Sequence, residues 1–177
     1  MKNDMKDKDT LFTVLNNINN WIMNCDTKAS VVLGSYGVAL SLIFATDVIE
    51  KIKSILSICF SKHTLRHALC FMLFIASCVC LIIGLLFIIS VLIPRINAQN
   101  KSLMFFNGVA SMESSECYRE SAESYSCDDV INDLLNQIYA AADICSKKFS
   151  NQKKGLIFST IGLFTMFFWL FIGYITF

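Results

Sequence analysis

The sequence has no charged residue in three long, predominantly apolar stretches, which are residues 29–46, 68–94 and 155–177. An uncharged apolar run of about 18 or more residues is long enough to cross roughly 30 Å of bilayer hydrocarbon as a helix. A large soluble helical core would instead carry polar residues every few positions. The sequence therefore predicts an all-α integral membrane protein with three transmembrane helices and a cytosolic helical module.

Charge is scarce in the chain as a whole. Only 16% of the residues are charged, and the formal net charge is +1. DNA- and RNA-binding proteins present a basic surface to the phosphate backbone, so this composition predicts no nucleic-acid partner. The three apolar runs leave residues 95–154 as the one substantial polar module, which is too short for most enzyme domains.

Catalytic signatures are also missing. The sequence contains no HExxH, GxSxG, Walker A or paired-carboxylate arrangement. The three apolar runs contain no Asp, Glu, Lys, Arg or His, the groups that ion-coupled transporters and proton relays place at membrane depth. We expect the protein to be neither an enzyme nor a transporter.

The eight cysteines do not form a recognisable framework. They are scattered without CxxC or Cys–His metal-ligand spacing, so we expect no metal site. Free thiols fit a chain whose polar parts face a reducing compartment.

Lysines and arginines predict the orientation, because cytoplasmic segments carry an excess of both. Eleven of the fifteen lie in residues 1–28 or 95–154, and four lie in residues 47–67. With three spans, residues 1–28 and 95–154 share one side of the membrane. We expect that side to be the cytoplasm, in a multi-pass membrane protein.

Apolar residues recur at helical spacing in three of the polar segments. One stripe lies in residues 1–28, and a second in the connection 47–67, which either lies in the interface or extends the first span. The third follows Ser126, for which Asp129 is positioned to complete a capping box. The first stripe is Leu11, Val14, Leu15, Ile18 and Ile22, and the third is Ile131, Leu134, Leu135, Ile138, Ala142, Cys145 and Phe149. These two helices are expected to pack together as a cytosolic bundle.

Small residues recur at intervals of four within the apolar runs, as in Ser30-Gly34, Gly37-Ser41-Ala45 and Ala76-Cys80-Gly84. Such faces let helix backbones approach closely. They serve packing within one subunit or association of copies, and we expect a homo-oligomer. Ser30, Ser35 and Ser41 are also suitable for lining a pore, and the sequence leaves these alternatives open.

Trp21, Asp26 and Lys28 stand where the first apolar run begins. Trp21 is suited to anchoring at the interface and Lys28 to reaching the headgroups. A carboxylate beside the membrane boundary requires a partner, and residues two apart on a helix face different ways, so Asp26 does not pair with Lys28. Lys147 and Lys148 are candidate partners. We expect Trp21, Asp26 and Lys28 to couple the polar module to the membrane.

Four motifs in order resemble the Pycsar transmembrane effector family. They are Trp21-Ile22 with Asp26-Thr27-Lys28-Ala29-Ser30, residues 100–110 followed by Tyr118, residues 133–138, and Lys147-Lys148-Phe149 before the last span. The resemblance extends from about Leu11 to the C-terminus. Cys25 departs from the pattern, since a small residue is expected there, and residues 111–127 are not distinctive.

The resemblance implies an antiphage effector that acts beside a pyrimidine cyclase. In this family the cyclase product, cyclic CMP or cyclic UMP, is thought to trigger impairment of the inner membrane and abortive infection. The implied partners are therefore the lipid bilayer, a cyclic pyrimidine mononucleotide and a functionally linked cyclase, with no cofactor beyond the activating nucleotide.

A cyclic nucleotide has one negative phosphate and a planar base, so its site needs cationic or N–H donors, a stacking surface and amides. The polar module offers all of these. The candidate ligand-binding residues are Asn100, Lys101, Phe105, Phe106, Asn107, Gly108, Gln137, Lys147 and Lys148. The alternative is that the two phenylalanines only pack the chain against the second span, with Asn107-Gly108 as a plain turn.

Two other functions fit the same features. One is a small membrane adaptor or scaffold that recruits a soluble partner through its amphipathic helices. The other is a holin-like pore that needs no ligand and should therefore kill cells on expression alone.

Overall fold

A computed structural model describes residues 7–45, 48–61, 64–94 and 102–176. Its regular elements in these ranges are α-helices, which confirms the all-α class. They are α1 (Lys8–Ala45), α2 (Val48–Ser61), α3 (Leu65–Leu92), α4 (Phe106–Ala110), α5 (Ser115–Glu123) and α6 (Cys127–Thr176).

The chain divides into two compact units. The polar unit consists of the described residues within 1–24 and 94–148, and the apolar unit of those within 25–93 and 149–177. Two helices, α1 and α6, each contribute residues to both units without a break. At about 1.5 Å per residue, the part of α6 in the apolar unit, residues 149–176, extends about 42 Å, more than the thickness of bilayer hydrocarbon.

A capping box begins α6, as the sequence predicts. The backbone N–H of Asp129 donates to Ser126 Oγ at 3.2 Å, and the N–H of Ser126 donates to Asp129 Oδ2 at 3.0 Å. Hydrogen bonds from Ser126 lower the pKa of the Asp129 carboxyl, so this group is ionised at neutral pH beside the positive end of the helix dipole.

One buried cluster in the apolar unit joins α2, α3 and α6. It consists of Ile55, Cys59, Cys70 and Trp169, and the indole of Trp169 is fully buried with its ring 4.6 Å from that of Phe74. The amphipathic connection is therefore a separate helix whose apolar side packs on the two long helices.

A second buried cluster holds α1 against α3 in the same unit. It contains Cys25 and Ala29 from α1 with Ile88 and Val91 from α3. On α6, Gln152 accepts a hydrogen bond from the Cys25 thiol at 3.2 Å. All three long helices thus contribute to one packed region.

Close backbone approach between α3 and α6 depends on Gly84. A Cβ atom at this position would lie 2.6 Å from Ser159 Oγ and 2.7 Å from the Ser159 backbone nitrogen. Ser159 Oγ also accepts a hydrogen bond from Tyr36 of α1 at 2.5 Å. The small-residue face of α3 is therefore used for packing within the subunit.

The small-residue face of α1 is open at both glycines. A Cβ added at Gly34 or Gly37 would meet no other described atom within 4 Å. The hydroxyls of Ser30, Ser35 and Ser41 donate to backbone carbonyls of α1 itself. Helical serines commonly use such carbonyls as hydrogen-bond acceptors in apolar surroundings.

Two helices in the described part of the chain are long and apolar enough to cross a membrane, namely α3 and Cys127–Ile175 of α6. On this measure the described residues contain two candidate membrane-spanning helices instead of the three predicted. The apolar part of α1 includes five serines and glycines that lower its hydropathy, and its uncharged run ends at Thr46, outside the described residues. These five are Ser30, Gly34, Ser35, Gly37 and Ser41.

We predict that Gly84→Ala lowers the free energy of unfolding by about 1–3 kcal/mol, because overpacking forces α3 and α6 apart. Gly37→Ala is the matched control, since the added methyl group meets open space. Denaturant titration of the purified protein in detergent, followed by circular dichroism, measures both. Equal stability of the two variants would contradict the close contact at Gly84.

Candidate ligand site in the polar unit

The segment 102–110 approaches α6 through one buried hydroxyl. Ser102 is 4% exposed, and its Oγ donates to Asp133 Oδ2 of α6 at 2.6 Å. The same oxygen accepts from Gln137 Nε2 at 3.3 Å and from the backbone N–H of Met104 at 3.2 Å. Ser102 therefore fixes the chain that leads into α4 against one turn of α6.

Asp133 is the acceptor at the centre of this group. Its side chain is 6% exposed and accepts a second hydrogen bond, from the Tyr125 hydroxyl at 3.4 Å. Burial, followed by the charge of Asp133, raises the pKa of Tyr125, so the phenol keeps its proton at physiological pH and remains a donor. Two hydroxyl donors thus compensate the buried carboxyl group.

Gly108 allows α4 to lie directly on this segment. A Cβ atom there would stand 2.0 Å from the carbonyl oxygen of Ser102. That oxygen belongs to the backbone and cannot move aside cheaply. The glycine predicted for a ligand site is therefore needed for packing, and the Asn107-Gly108 pair lies within a short helix rather than in a plain turn.

Phe105 and Phe106 form an aromatic pair beside α4. Their ring centroids are 4.7 Å apart with the planes inclined by 47°. Phe106 is 61% exposed, whereas Phe105 and Asn107 are partly buried. One aromatic face is thus accessible to a planar group, next to a side-chain amide.

The structure brings only some of the predicted site residues together. Gln137 joins the segment 102–108 through its hydrogen bond to Ser102. Lys147 donates instead to Asp143 of its own helix at 2.6 Å, and Lys148 is buried at 5% exposure. Asn100 and Lys101 lie outside the described residues.

Comparison with known proteins identifies the family. The model of the Pycsar effector protein domain matches residues 10–175. A Pycsar effector protein of Gulbenkiania mobilis, GmPycTM, is 30% identical over 87% of this chain and 88% of its own length. This chain belongs to the Pycsar effector family. No solved structure matches it.

Family membership confirms the resemblance seen in the sequence motifs and supports an antiphage role for this Pycsar effector. Together with the two apolar helices, it also supports a location in the membrane. The family match covers parts of both units, so the polar unit and the apolar unit belong to one effector domain.

The predicted boundary residues of this Pycsar effector all lie on α1. Trp21 is 57% exposed and Lys28 is exposed, whereas Asp26 is partly buried and engaged in an interaction. The backbone carbonyl of Asp26 also accepts from Ser30 Oγ at 3.0 Å. Pairing of the Asp26 carboxylate with Lys147 or Lys148 stays a prediction.

Sequence reasoning did not assign a role to Ser102, Tyr125 or Asp133. Asp133 and Gln137 are four residues apart and flank Leu134, which is fully buried. A polar pair at this spacing beside a core leucine is a signal for a buried hydrogen-bonded face. The described residues contain no cluster of three or more His, Cys, Asp or Glu side chains that could hold a metal.

We predict that Asp133→Ala releases the segment 102–110, because Ser102 and Tyr125 lose their buried acceptor at a cost of about 1–3 kcal/mol. Hydrogen–deuterium exchange of this segment in the detergent-solubilised protein should be faster than in the wild type. Asn136→Ala, at an exposed position of the same helix, is the control and should leave exchange unchanged. Wild-type exchange in the Asp133 variant would show that the carboxyl group does not hold the segment.

Proposed function

We propose that this Pycsar effector senses cyclic CMP or cyclic UMP and impairs the integrity of the inner membrane, so that the infected cell dies before phage matures. Family membership supports a functional link to a pyrimidine cyclase that makes the nucleotide. The protein acts in this scheme by binding and conformational change, without catalysis and without a further cofactor.

The observation that carries this proposal is the continuity of α1 and α6 through the polar and apolar units. A helix that contributes residues to two units can transmit a displacement from one to the other. Ligand binding to the polar unit would then shift the packing of the apolar unit, where contacts such as that of Gly84 with Ser159 leave no room for an added side-chain atom.

The site we assign to the nucleotide is centred on Phe106 and Asn107. The exposed ring of Phe106 provides a stacking surface, and stacking on an aromatic side chain is worth about 1–3 kcal/mol per base. Amide groups at Asn100, Asn107 and Gln137 provide donors and acceptors for the edge of a pyrimidine. The positive charge for the phosphate is assigned to Lys101, which lies outside the described residues, while Lys147 is engaged with Asp143 of its own helix.

The membrane topology is part of the proposal. The excess of basic residues places residues 1–28 and 95–154 in the cytoplasm. This arrangement requires α1 to traverse the bilayer beside α3 and α6, although its described residues fall short of a span by hydropathy. Tyr36 of α1 donates to Leu81 of α3 and to Ser159 of α6, which supports this placement.

We also propose that the effector forms a homo-oligomer. Gly34 and Gly37 leave part of α1 open to close approach by another helix, whereas the glycines of α3 and α6 are already covered within the subunit. Helix association in membranes uses such small-residue faces.

Coupling between ligand and membrane is assigned to Trp21, Asp26 and Lys28, at the point where α1 passes from the polar to the apolar unit. In cells that express Asp26→Ala, the protein should insert normally but not depolarise the membrane when the nucleotide is supplied. A full response of this variant would give Asp26 a purely structural role.

We predict that Phe106→Ala and Asn107→Ala each abolish depolarisation triggered by cyclic CMP or cyclic UMP, because they remove the stacking ring and the amide. A potential-sensitive dye reports the response, and membrane fractionation shows that insertion is unchanged. Tyr139→Ala is the control, since Tyr139 is a 79% exposed aromatic residue elsewhere in the polar unit. A normal response in both site variants would move the nucleotide site away from α4.

The topology predicts the direction from which two thiols can be labelled. Cys117 and Cys127 are exposed on the polar unit, whereas Cys145 is buried and is expected to react slowly from either side. In variants that retain only Cys117 or Cys127, an impermeant maleimide should label the protein only after spheroplasts are opened. Labelling of either thiol in intact spheroplasts would overturn the cytoplasmic placement of residues 95–154.

A further inference from the structure

A cavity of about 520 Å³ lies in the apolar unit between α2 and the end of α6. Its size is within the range of ligand pockets, about 300–1,000 Å³. Val48, Lys51 and Ile55 line it from α2, and Phe167, Phe171 and Tyr174 are among its lining residues on α6. Lys51 is the one charged residue of this lining.

Lys51 is held at the mouth of the cavity by an aromatic ring. Its Nζ lies 4.1 Å from the ring centroid of Tyr174. A cation–π contact fixes the position of the ammonium group, while its remaining N–H donors stay available to an anion. Lys51 and Tyr174 are both exposed.

The floor of the cavity is formed by Ile55, which is closely packed. Gly173 of α6 lies so close to Ile55 that an added Cβ atom would stand 2.5 Å from Ile55 Cδ1. Ile55 belongs to the buried cluster that contains Cys59, Cys70 and Trp169. The side of the cavity formed by Ile55 is thus fixed by its packing, which lowers the ordering cost for an occupant.

The position of the lining residues along α6 indicates the depth of this cavity in the membrane. Tyr174 is near the end of the apolar run of a helix that is long enough to cross a bilayer. Tyrosines and lysines at the ends of spans lie at the level of the lipid headgroups. The exposed rings of Phe171 and Phe167 are about one and two turns deeper along the helix, at the level of acyl chains.

We propose that this cavity is a binding site for an anionic phospholipid. An acyl chain lies along the apolar wall formed by Phe167, Phe171 and Val48, and the headgroup phosphate accepts hydrogen bonds from Lys51. The occupant follows from the lining, which combines one positive charge at headgroup level with an otherwise aliphatic and aromatic surface. This site is distinct from the nucleotide site and does not depend on it.

Tryptophan quenching by brominated lipid tests the site in the full-length protein. The chain has two tryptophans, so Trp21→Phe leaves Trp169, which lies in the cluster behind the cavity floor. The protein is reconstituted in two lipid mixtures. In the first, phosphatidylglycerol is dibrominated and phosphatidylcholine is not, and in the second, phosphatidylcholine is dibrominated and phosphatidylglycerol is not. We expect about a fivefold preference for phosphatidylglycerol, equivalent to about 1 kcal/mol for one lysine near the surface.

Lys51→Gln should remove this preference, Lys51→Arg should keep it, and Val48→Phe should weaken quenching by filling the groove. Lys53→Gln is the matched control, because Lys53 is exposed on the same helix but does not line the cavity. An unchanged emission spectrum of Trp169 in unbrominated vesicles verifies the fold of each variant. An undiminished preference in Lys51→Gln, or an equal loss in Lys53→Gln, would overturn the assignment.

Discussion

Close contact between α3 and α6 at glycine positions is the constraint on which the apolar unit depends. In a bilayer the hydrophobic effect does not drive helices together, because lipid tails are as apolar as leucine. Dispersion contacts and hydrogen bonds must supply the attraction, and a gap of about 0.5–1 Å already removes a quarter to a half of a dispersion contact. Gly84, Gly155 and Gly162 satisfy this requirement, since a methyl group at any of them would come within 3 Å of the facing helix.

Hydrogen bonds reinforce these contacts and bring α1 into the same unit. Tyr36 donates to Ser159, the residue that faces Gly84, and the Cys25 thiol donates to Gln152. A different interaction organises the polar unit, where the buried Asp133 carboxyl group accepts from Ser102 and Tyr125. The two units are thus built on different physical interactions, yet α1 and α6 belong to both.

The sequence predicted the features that depend on local pattern. Unbroken apolar runs predicted α3 and the membrane segment of α6, and the spacing of Ser126 and Asp129 predicted the capping box. In α1, small and hydroxyl-bearing residues lower the hydropathy of the apolar run. The described residues of α1 are therefore not apolar enough to qualify as a candidate span. The family was identified from motifs spread over nearly the whole chain, and the family model confirms it.

The candidate site was less predictable because it depends on pairs far apart in sequence. Ser102 and Asp133 are separated by 31 positions, and no periodicity in one segment indicates which hydroxyl meets which carboxylate. Local composition drew attention to residues 105–108 and Gln137, whose role in a ligand site stays a prediction, while the close packing of Gly108 on Ser102 follows only from the structure. The sequence offered Lys147 as a ligand residue or as a partner of Asp26, whereas the structure pairs it with Asp143, one turn earlier on the same helix.

The most direct test of the central claim uses the purified effector in proteoliposomes that hold a potassium diffusion potential. Addition of cyclic CMP or cyclic UMP should dissipate the potential, while cyclic AMP at the same concentration should leave it intact. Collapse of the potential without any nucleotide would indicate a constitutive pore. A potential that survives both pyrimidine nucleotides, with the protein inserted and folded, would contradict the account.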